Sequence, residues 1–241
     1  VVFDCRGLGT EGMFEDISFN VRRGEIVGLE GLVGAGRSEV CRAIFGLDPL
    51  ERGEIFINGK RYEPRDVTHG INSGVLMVTE DRKKEGIFDI RSCRENVTIT
   101  SHRVRKGWFL NLRRERAEAL EMTKRLNVRF AGIETPIQSL SGGNQQKIVL
   151  ARQLMLSSKL LILDEPTRGI DVGAKLEIYN IMTSLVKQGY AILMISSELP
   201  ELLGMCDRLY VMSQGRMAGV LTRDEFSQDR IMQMAVSNLE K

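Results

Sequence analysis

The chain has 241 residues, of which 42% are hydrophobic and 27% charged, the composition of a folded globular domain. Its 34 basic and 32 acidic residues leave a formal net charge of +2, which excludes a global attraction to nucleic acid or anionic lipid. The sequence has no signal peptide and no apolar run of about 20 residues, so we expect a cytosolic chain. Because the first residue is Val1 rather than Met, we expect a segment of a longer protein.

Apolar runs separated by helical patterns predict an α/β fold. Residues 17–21 and 53–59 are typical of half-buried antiparallel strands, which would form a small sheet. Helices are predicted at residues 37–45 and 174–187. Continuous apolar runs, typical of buried parallel strands, occupy residues 24–31, 74–78, 159–163, 191–195 and 208–212. We therefore predict a mostly parallel sheet beside a small antiparallel β subdomain.

Strand signals fade between residues 91 and 155, where the pattern turns helical. The clearest amphipathic helix covers residues 113–126. We predict a single domain in which a helical subdomain at 91–155 is inserted into a core formed by 1–90 and 156–241. The segment 103–116 is basic with aromatic residues, which could indicate nucleic-acid binding. We favour a solvated helix whose charge is balanced by Glu115, Glu118 and Glu121, and we expect no nucleic-acid partner.

The cysteines carry no recognisable chemistry. Cys5, Cys41, Cys93 and Cys206 lie far apart, without the paired spacing of a zinc site or a redox couple. We predict reduced side chains that pack in the core. No histidine follows His102, so the rest of the chain offers no imidazole.

The stretch GLVGAGRSE, at residues 31–39, is one residue away from a phosphate-binding P-loop, whose pattern is Gly, four residues, Gly, Lys and then Ser or Thr. In that pattern backbone N–H groups surround phosphate oxygens, the Lys reaches the terminal phosphates and the hydroxyl holds Mg²⁺. Gly31, Gly36 and Ser38 are in register, but Arg37 stands in the place of the Lys. The loop lies between a predicted strand and a predicted helix, as a P-loop requires.

Two further stretches have features of a nucleotide-binding site. LLILDEPT, at residues 160–167, places Asp164 and Glu165 after an apolar strand, where the active sites of open parallel sheets gather. Asp164 would orient Mg²⁺ and Glu165 would polarise the attacking water. LSGGNQQK, at residues 140–147, offers an anion a hydroxyl, free N–H groups and the positive end of a helix dipole.

The order of these motifs resembles the ATP-binding-cassette family of transporter ATPases, which have a P-loop NTPase core. The similarity extends to the second cassette of two-cassette bacterial monosaccharide importers of the ribose, galactose and arabinose class. It is carried by GLVGAGRSE, TEDRKKEG, LSGGNQQK, DEPTRGIDVGAK and ISSELPELLGMCDR, and it covers essentially the whole chain. It implies the C-terminal half of a longer polypeptide, held peripherally at the cytoplasmic face of the bacterial inner membrane.

The resemblance also implies partners and site residues. The partners are a second cassette, transmembrane permease subunits and, indirectly, a periplasmic sugar-binding protein. Cassettes of the family pair head to tail, so that ATP and Mg²⁺ lie between one P-loop and the signature of the other cassette. The expected metal ligands are Ser38, Glu80 and Asp164, and the expected catalytic residues are Glu165 and Ser197. The expected nucleotide contacts are Gly31, Val33, Gly34, Ala35, Gly36, Arg37, Ser38, Glu39, Ser141, Gly142, Gly143, Asn144 and Asp171, the last at the cassette interface.

The phosphate site on the chain's own P-loop departs from the family pattern. Arg37 still binds phosphate through its planar fork but is bulkier than Lys and is not an equivalent point charge. Glu39 brings an anion near the α-phosphate, where the family commonly has Thr. Ser197 stands at the position of the switch histidine. Glu80 replaces a Gln, and its carboxylate could still ligate Mg²⁺.

One departure concerns adenine. Leu8 falls near the place where an aromatic ring usually stacks on the base, a role that Phe3 or Phe14 could take over. The signature residues 141–143 and the carboxylates of Asp164 and Glu165 are intact. The resemblance therefore implies slow hydrolysis at this chain's own site and a working signature for the partner's site.

Three functions remain in competition. The leading one is an energy-coupling subunit of a sugar importer, whose own site binds ATP or ADP and hydrolyses ATP slowly. The second is a fully active ATPase in which Arg37 does the work of Lys. The third is a soluble protein that handles DNA or ribosomes, which the lack of a coiled-coil or basic insertion disfavours. A nucleoside or a signalling molecule also stays open as the cargo, because this subunit does not contact it.

Overall fold

The computed structural model describes residues 1–104 and 111–237, with the backbone alone at 103 and 104. The strands are β1 (Phe3–Thr10), β2 (Phe14–Val21), β3 (Ile26–Glu30), β4 (Arg52–Ile57), β5 (Lys60–Tyr62), β6 (Val75–Val78), β7 (Leu160–Asp164), β8 (Ala191–Ile195), β9 (Arg208–Ser213) and β10 (Arg216–Thr222). The helices are α1 (Arg37–Phe45), α2 (Val67–Ser73), α3 (Cys93–Val104), α4 (Leu112–Arg125), α5 (Gly142–Leu154), α6 (Val172–Lys187), α7 (Leu199–Met205) and α8 (Gln228–Val236). Short turns of π-helix and 3₁₀-helix lie at Arg82–Gly86, Ile137–Ser139 and Arg223–Glu225.

The strands form two sheets. The smaller sheet has the order β2-β1-β4-β5, and its pairs are antiparallel. The larger sheet has the order β10-β9-β3-β8-β7-β6, with parallel pairing of β3 to β8 and β9 and of β7 to β8. Every residue of β3, β7 and β8 is buried, as expected of strands covered on both faces. The predicted α/β fold with a mostly parallel sheet and a small antiparallel sheet is confirmed.

The chain divides into two compact units. The first comprises Val1–Met77, Lys159–Glu165 and Thr183–Lys241, and it contains the smaller sheet and the central strands of the larger one. The second comprises Val78–Ser158 and Pro166–Met182, and it contains α3, α4 and α5. The residues of the predicted helical subdomain, 91–155, all belong to the second unit.

The core of the first unit contains Leu8 and the two candidates for adenine stacking, Phe3 and Phe14. Phe3 and Leu8 are fully buried and Phe14 is 4% exposed. The ring of Phe3 packs against Phe19, with centroids 5.5 Å apart. The suggestion that Phe3 stacks on a base is therefore wrong, because its fully buried side chain belongs to the hydrophobic core. Phe14 belongs to the core but also lines a surface cavity, so its suggested stacking stays a prediction.

Helix α4 confirms the predicted amphipathic helix with one difference. Arg114 pairs with Glu118 at 2.7 Å, as expected on a solvated face. Glu115, however, is buried and accepts from Arg94 Nη1 of α3 at 2.8 Å, so it joins two helices instead of balancing the basic segment. Residues 105–110 of that segment lie outside the described part of the chain.

The four cysteines are free and buried, as predicted. Burial raises the pKa of each thiol, which keeps these side chains protonated and unreactive at neutral pH. Among the helices of the described residues, none combines the length and the hydrophobicity that crossing a bilayer requires.

Candidate functional site

The loop at residues 31–36 joins β3 to α1 in the first unit. Its apex is open to solvent, with Val33 94% exposed, next to an exposed Gly34, whereas Gly31, Ala35 and Gly36 are buried. Gly36 is the N-cap of α1 with a φ of 93°, a conformation that suits glycine, and no side chain caps the helix. The first N–H groups of α1 therefore stay available to an anion, which the positive end of the helix favours.

Arg37 lies among acidic groups. Its Nη1 donates to the carbonyl oxygen of Ser196 at 3.1 Å. Its charge lowers the pKa of three carboxyls, those of Glu30, Asp164 and Glu165, against the stronger upward effect of burial. The guanidinium thus hydrogen-bonds a backbone carbonyl oxygen and acts on the neighbouring carboxylates through its charge.

Asp164, the last residue of β7, is held beside Ser38. The Ser38 side chain hydrogen-bonds to its carboxylate, yet the buried Oδ1 has no hydrogen-bond partner. Burial is the main reason that the pKa of Asp164 rises to about 6, and the charges of Glu165 and, to a smaller extent, Glu39 contribute in the same direction. A buried carboxylate oxygen without a partner, next to a hydroxyl, is suited to a hard cation.

Glu165 and Ser197 lie in direct contact. Glu165 has a φ of 48°, a left-handed backbone conformation uncommon outside glycine, and such residues are concentrated at functional sites. Ser197 Oγ donates to Glu165 Oε2 at 3.1 Å, and the Ser197 N–H contributes a second bond to that carboxylate. Burial raises the pKa of Glu165. The two hydrogen-bond donors that Ser197 offers this carboxylate, a hydroxyl and an N–H, are both uncharged.

The signature stretch belongs to the second unit and begins α5. Ser141 is the N-cap residue, but its side chain makes no capping hydrogen bond. Instead, Ser141 Oγ accepts from Asn144 Nδ2 at 2.9 Å, and Asn144 Oδ1 accepts from the N–H of Arg129 at 2.8 Å. The hydroxyl hydrogen of Ser141 and the N–H groups of Gly142 and Gly143 can therefore donate to an anion at the helix N-terminus.

Two predicted residues have other partners in the second unit. The carboxylate of Glu80 forms an ion pair with Arg168. Asp171 Oδ1 accepts a hydrogen bond from the N–H of Ala174 at 3.0 Å, at the start of α6. Metal binding by Glu80 and an interface role for Asp171 stay predictions.

Comparison with known proteins decides the family. A family model described as ABC transporter matches residues 14–168. The ribose import ATP-binding protein RbsA 1 of Streptomyces avermitilis is 50% identical over 98% of this chain. The chain belongs to the ABC transporter family. A putative ribose/galactose/methyl galactoside import ATP-binding protein of Rhizobium etli is 49% identical, and the chain spans about half the length of these relatives, 45% of each.

Solved structures give the fold. A crystal structure of the ADP conformation of an ATP-binding cassette from an ABC transporter has a TM-score of 0.83 and 19% identity, covering 98% of this chain and 99% of that one. The structure of an ATP-binding subunit of an ABC transporter has a TM-score of 0.77 and 24% identity, covering 98% and 100%. The chain has the cassette fold.

The donor set of this cassette fits Mg²⁺. Within the described residues, no group of three or more His, Cys, Asp or Glu side chains is placed so that it could hold a metal ion. Mg²⁺ does not need one, because it typically keeps several waters and takes one or two protein oxygens together with phosphate oxygens. Ser38 and the unpartnered Oδ1 of Asp164 supply such oxygens.

A cavity of about 380 Å³ lies beside the loop in the first unit of the cassette. Gly34 and the half-exposed Met13 line it, together with Arg52 and Arg216. Thioether and guanidinium groups both pack well on aromatic faces. Met13, Arg52 and Arg216 are the exposed side chains of this lining that can pack on an aromatic face, and the largely buried Phe14 also lines the cavity.

Glu30 and Arg82 lie outside the site residues that the sequence motifs single out. Glu30 ends β3 directly before the P-loop, is 7% exposed and has a buried Oε2 without a hydrogen-bond partner. Burial raises its pKa to about 7. A signal was present, because a carboxylate closes an otherwise apolar strand, IVGLE. Arg82 lies in the TEDRKKEG stretch, but which groups it contacts cannot be read from the sequence.

Glu30 predicts a pH dependence of stability. Its pKa in the folded chain, about 7, exceeds the ordinary 4.5, so the folded state binds the proton more tightly than the unfolded state does. The contribution of protonated Glu30 to the free energy of unfolding is complete below pH 4.5 and is lost as the pH rises through 7. When the pH rises from about 5 to about 7, the free energy of unfolding of the parent should fall by about 2 kcal/mol more than that of Glu30→Gln. Urea titrations of both proteins at the two pH values measure this difference.

The comparison isolates Glu30 because Asp164, whose pKa is also raised, is present in both proteins. Glu11→Gln, at an exposed position, provides the matched control and should behave like the parent. An equal decline in Glu30→Gln and in the parent contradicts the prediction.

Proposed function

We propose that this chain is the ATP-binding cassette of a bacterial sugar importer and the C-terminal half of a two-cassette polypeptide. The names of the relatives support the cargo class, and the half-length match supports the division into two halves. The proposed partners are the other cassette, transmembrane permease subunits and, indirectly, a periplasmic sugar-binding protein. The proposed location is the cytoplasmic face of the inner membrane, without a nucleic-acid partner.

In this proposal the chain's own P-loop binds ATP or ADP with Mg²⁺ but hydrolyses ATP slowly. The observation that carries it is the contact between Ser197 Oγ and Glu165 Oε2 at 3.1 Å. A histidine at that position can be protonated and can donate with a positive charge, whereas a hydroxyl cannot. Arg37, the substitute for the P-loop Lys, bonds the carbonyl oxygen of Ser196.

Charge supports the same conclusion. The carboxylates of Glu30, Asp164 and Glu165 all lie within electrostatic range of Arg37, and Glu39 acts on Asp164. A triphosphate approaching this acidic group is repelled unless its charge is reduced. Mg²⁺, when bound by Ser38 and Asp164, supplies that charge. The uncapped N–H groups of α1 bind phosphate oxygens, and Glu165 is placed to orient a water.

The signature of this chain serves the other cassette. Ser141 and the N–H groups of Gly142 and Gly143 are not used for capping and lie at the positive end of α5. In a head-to-tail pair they would contact the γ-phosphate held by the partner's P-loop, and Asn144 would orient Ser141. The chain thus completes a competent site although its own site is impaired.

The second candidate, a fully active cassette, is favoured by one observation. Ser38, Asp164 and Glu165 keep the arrangement that hydrolysis requires, with Ser38 bonded to Asp164. Arg37 would then contact phosphate after leaving the carbonyl oxygen of Ser196. The two candidates differ in the turnover of the isolated chain.

We expect the isolated chain to be monomeric and to turn over ATP far more slowly than about 1 per second, the lower end for competent enzymes. The reason is that its P-loop faces no partner signature and its switch position carries Ser197. Light scattering gives the mass, and a coupled steady-state assay gives the rate. Glu165→Gln sets the background, and turnover near 1 per second above that background would favour the second candidate.

A further inference from the structure

Arg82 lies at the start of the π-helical turn of the second unit, two positions after Glu80. Asp81 caps that turn, because its Oδ1 accepts from the N–H groups of Lys83 and Lys84 at 3.1 and 3.2 Å. The cap fixes the backbone from which the Arg82 side chain extends. Lys83 and Lys84 are exposed, whereas Arg82 is partly buried.

The guanidinium of Arg82 bonds two consecutive carbonyl groups shortly before α6. Its Nη1 donates to the carbonyl oxygen of Arg168 at 2.5 Å, and its Nη2 donates to that of Gly169 at 3.1 Å. The planar fork of Arg reaches both acceptors at once, in a fixed geometry that the single ammonium of Lys does not reproduce. The 166–171 segment is therefore held by this one side chain at two points.

The same guanidinium occupies the space beside the first signature glycine. A Cβ added to Gly142 would lie 2.6 Å from Arg82 Nη2 and 3.2 Å from the carbonyl oxygen of Gly169. Real Cβ atoms do not approach other atoms as closely as the first distance, so the fork must move if Gly142 gains a side chain. The close approach of the fork thus depends on the glycine.

Other contacts of α5 with α6 do not involve Arg82. A Cβ added to Gly143 would overlap the Cβ of Ala174 instead. Further along α5, the buried Lys147 pairs with Glu177 Oε2 of α6 at 2.5 Å. The chain therefore offers a neighbouring glycine as a specificity control for any effect attributed to Arg82.

We propose that Arg82 is a positioning residue for the signature. Its fork ties the turn at Gly142 to the carbonyl groups of Arg168 and Gly169, and it thereby fixes the N–H groups that meet the partner's nucleotide. Arg82 itself contacts no phosphate and acts through Gly142. This inference rests on the proposed function, because the direction of those N–H groups matters only where the signature binds a phosphate.

A double-mutant cycle in the two-cassette protein with its membrane subunits tests the coupling. Gly142→Ala, Arg82→Ala and the double variant are compared by ATPase assays over a range of ATP concentrations. We expect each single change to lower kcat about tenfold, with a smaller change in KM. If the two losses were independent, the double variant would lose about 100-fold; because the residues are coupled, we expect it to lose only about tenfold. Arg82→Lys should fall between the parent and Arg82→Ala.

Matched controls separate positioning from general damage. Gly132→Ala adds a Cβ into open space and Lys83→Ala truncates the exposed neighbour, so both should keep parent kcat. Gly143→Ala should combine with Arg82→Ala multiplicatively, because its Cβ meets Ala174. Circular dichroism checks folding, and the cycle is run with Arg82→Lys if Arg82→Ala does not fold.

The outcomes distinguish the two levels of the proposal. The positioning role would be overturned if the losses of kcat from Gly142→Ala and from the Arg82 variant simply multiplied in the double variant. It would also be overturned if Arg82→Ala kept parent activity. Parent activity in Ser141→Arg would instead overturn the proposed function of the signature. Coupling between residues 82 and 142, without coupling between 82 and 143, supports the inference.

Discussion

Ser141→Arg is expected to lower sugar uptake and ATPase activity of the proposed two-cassette protein by at least about 100-fold, because it blocks a group of preorganised donors. Ser141 is exposed at the N-terminus of α5, and its hydroxyl makes no capping bond whose loss would unfold the helix. In the proposed head-to-tail pair, an Arg side chain would occupy the place where the partner's γ-phosphate docks. Uptake of radiolabelled ribose into proteoliposomes measures the loss.

The matched control for this change is Gln138→Arg, which adds the same cation at an exposed position three residues upstream. It should keep parent activity, because residue 138 precedes the signature turn and belongs to the 3₁₀ turn. Circular dichroism should show both variants folded. Parent uptake in a folded Ser141→Arg protein would show that this chain's signature does not take part in the productive site.

The buried strands of the fold were predictable because burial on both faces leaves an uninterrupted apolar run. β7 and β8 show this clearly, since all their residues are buried. β1 was not among the predicted strands, and the reason is equally physical. Its pairing with β2 shifts register between Cys5 and Leu8 and again before Thr10, so the alternation expected of a half-buried strand is broken. β10 has a similar shift between Met217 and Gly219.

The position of the site was predictable, because the order of the motifs along the chain places their residues at the ends of neighbouring parallel strands. That order brought Ser38, Asp164 and Glu165 together, because β3 and β7 both flank β8 in the parallel sheet. Side-chain direction was not predictable. The orientation of Arg37 toward the carbonyl oxygen of Ser196 follows from rotamer choice among packed neighbours, and no local sequence pattern encodes it.

The intact carboxylate of Glu165 makes the proposed asymmetry between two paired cassettes testable. In a competent site this residue orients the attacking water, and its replacement by Gln removes a general base. Here Ser197 occupies the Oε2 oxygen without bringing a positive charge, and Arg37 is bonded to a backbone carbonyl. Under the proposed function, in which this site is slow, its base limits overall turnover little.

We therefore expect Glu165→Gln to reduce ATPase activity of the two-cassette protein by no more than about threefold, and the equivalent change in the other cassette by at least about 100-fold, the usual contribution of a general base. Both purified variants are assayed with the membrane subunits under saturating ATP.

Repairing this site by Arg37→Lys together with Ser197→His serves as the converse test. It should change uptake little, because Glu39 still acts on Asp164 and Glu30 remains buried against the loop. Equal losses in the two Glu-to-Gln variants would mean that both P-loops hydrolyse ATP, and the hydroxyl of Ser197 would then be sufficient where the family uses an imidazole.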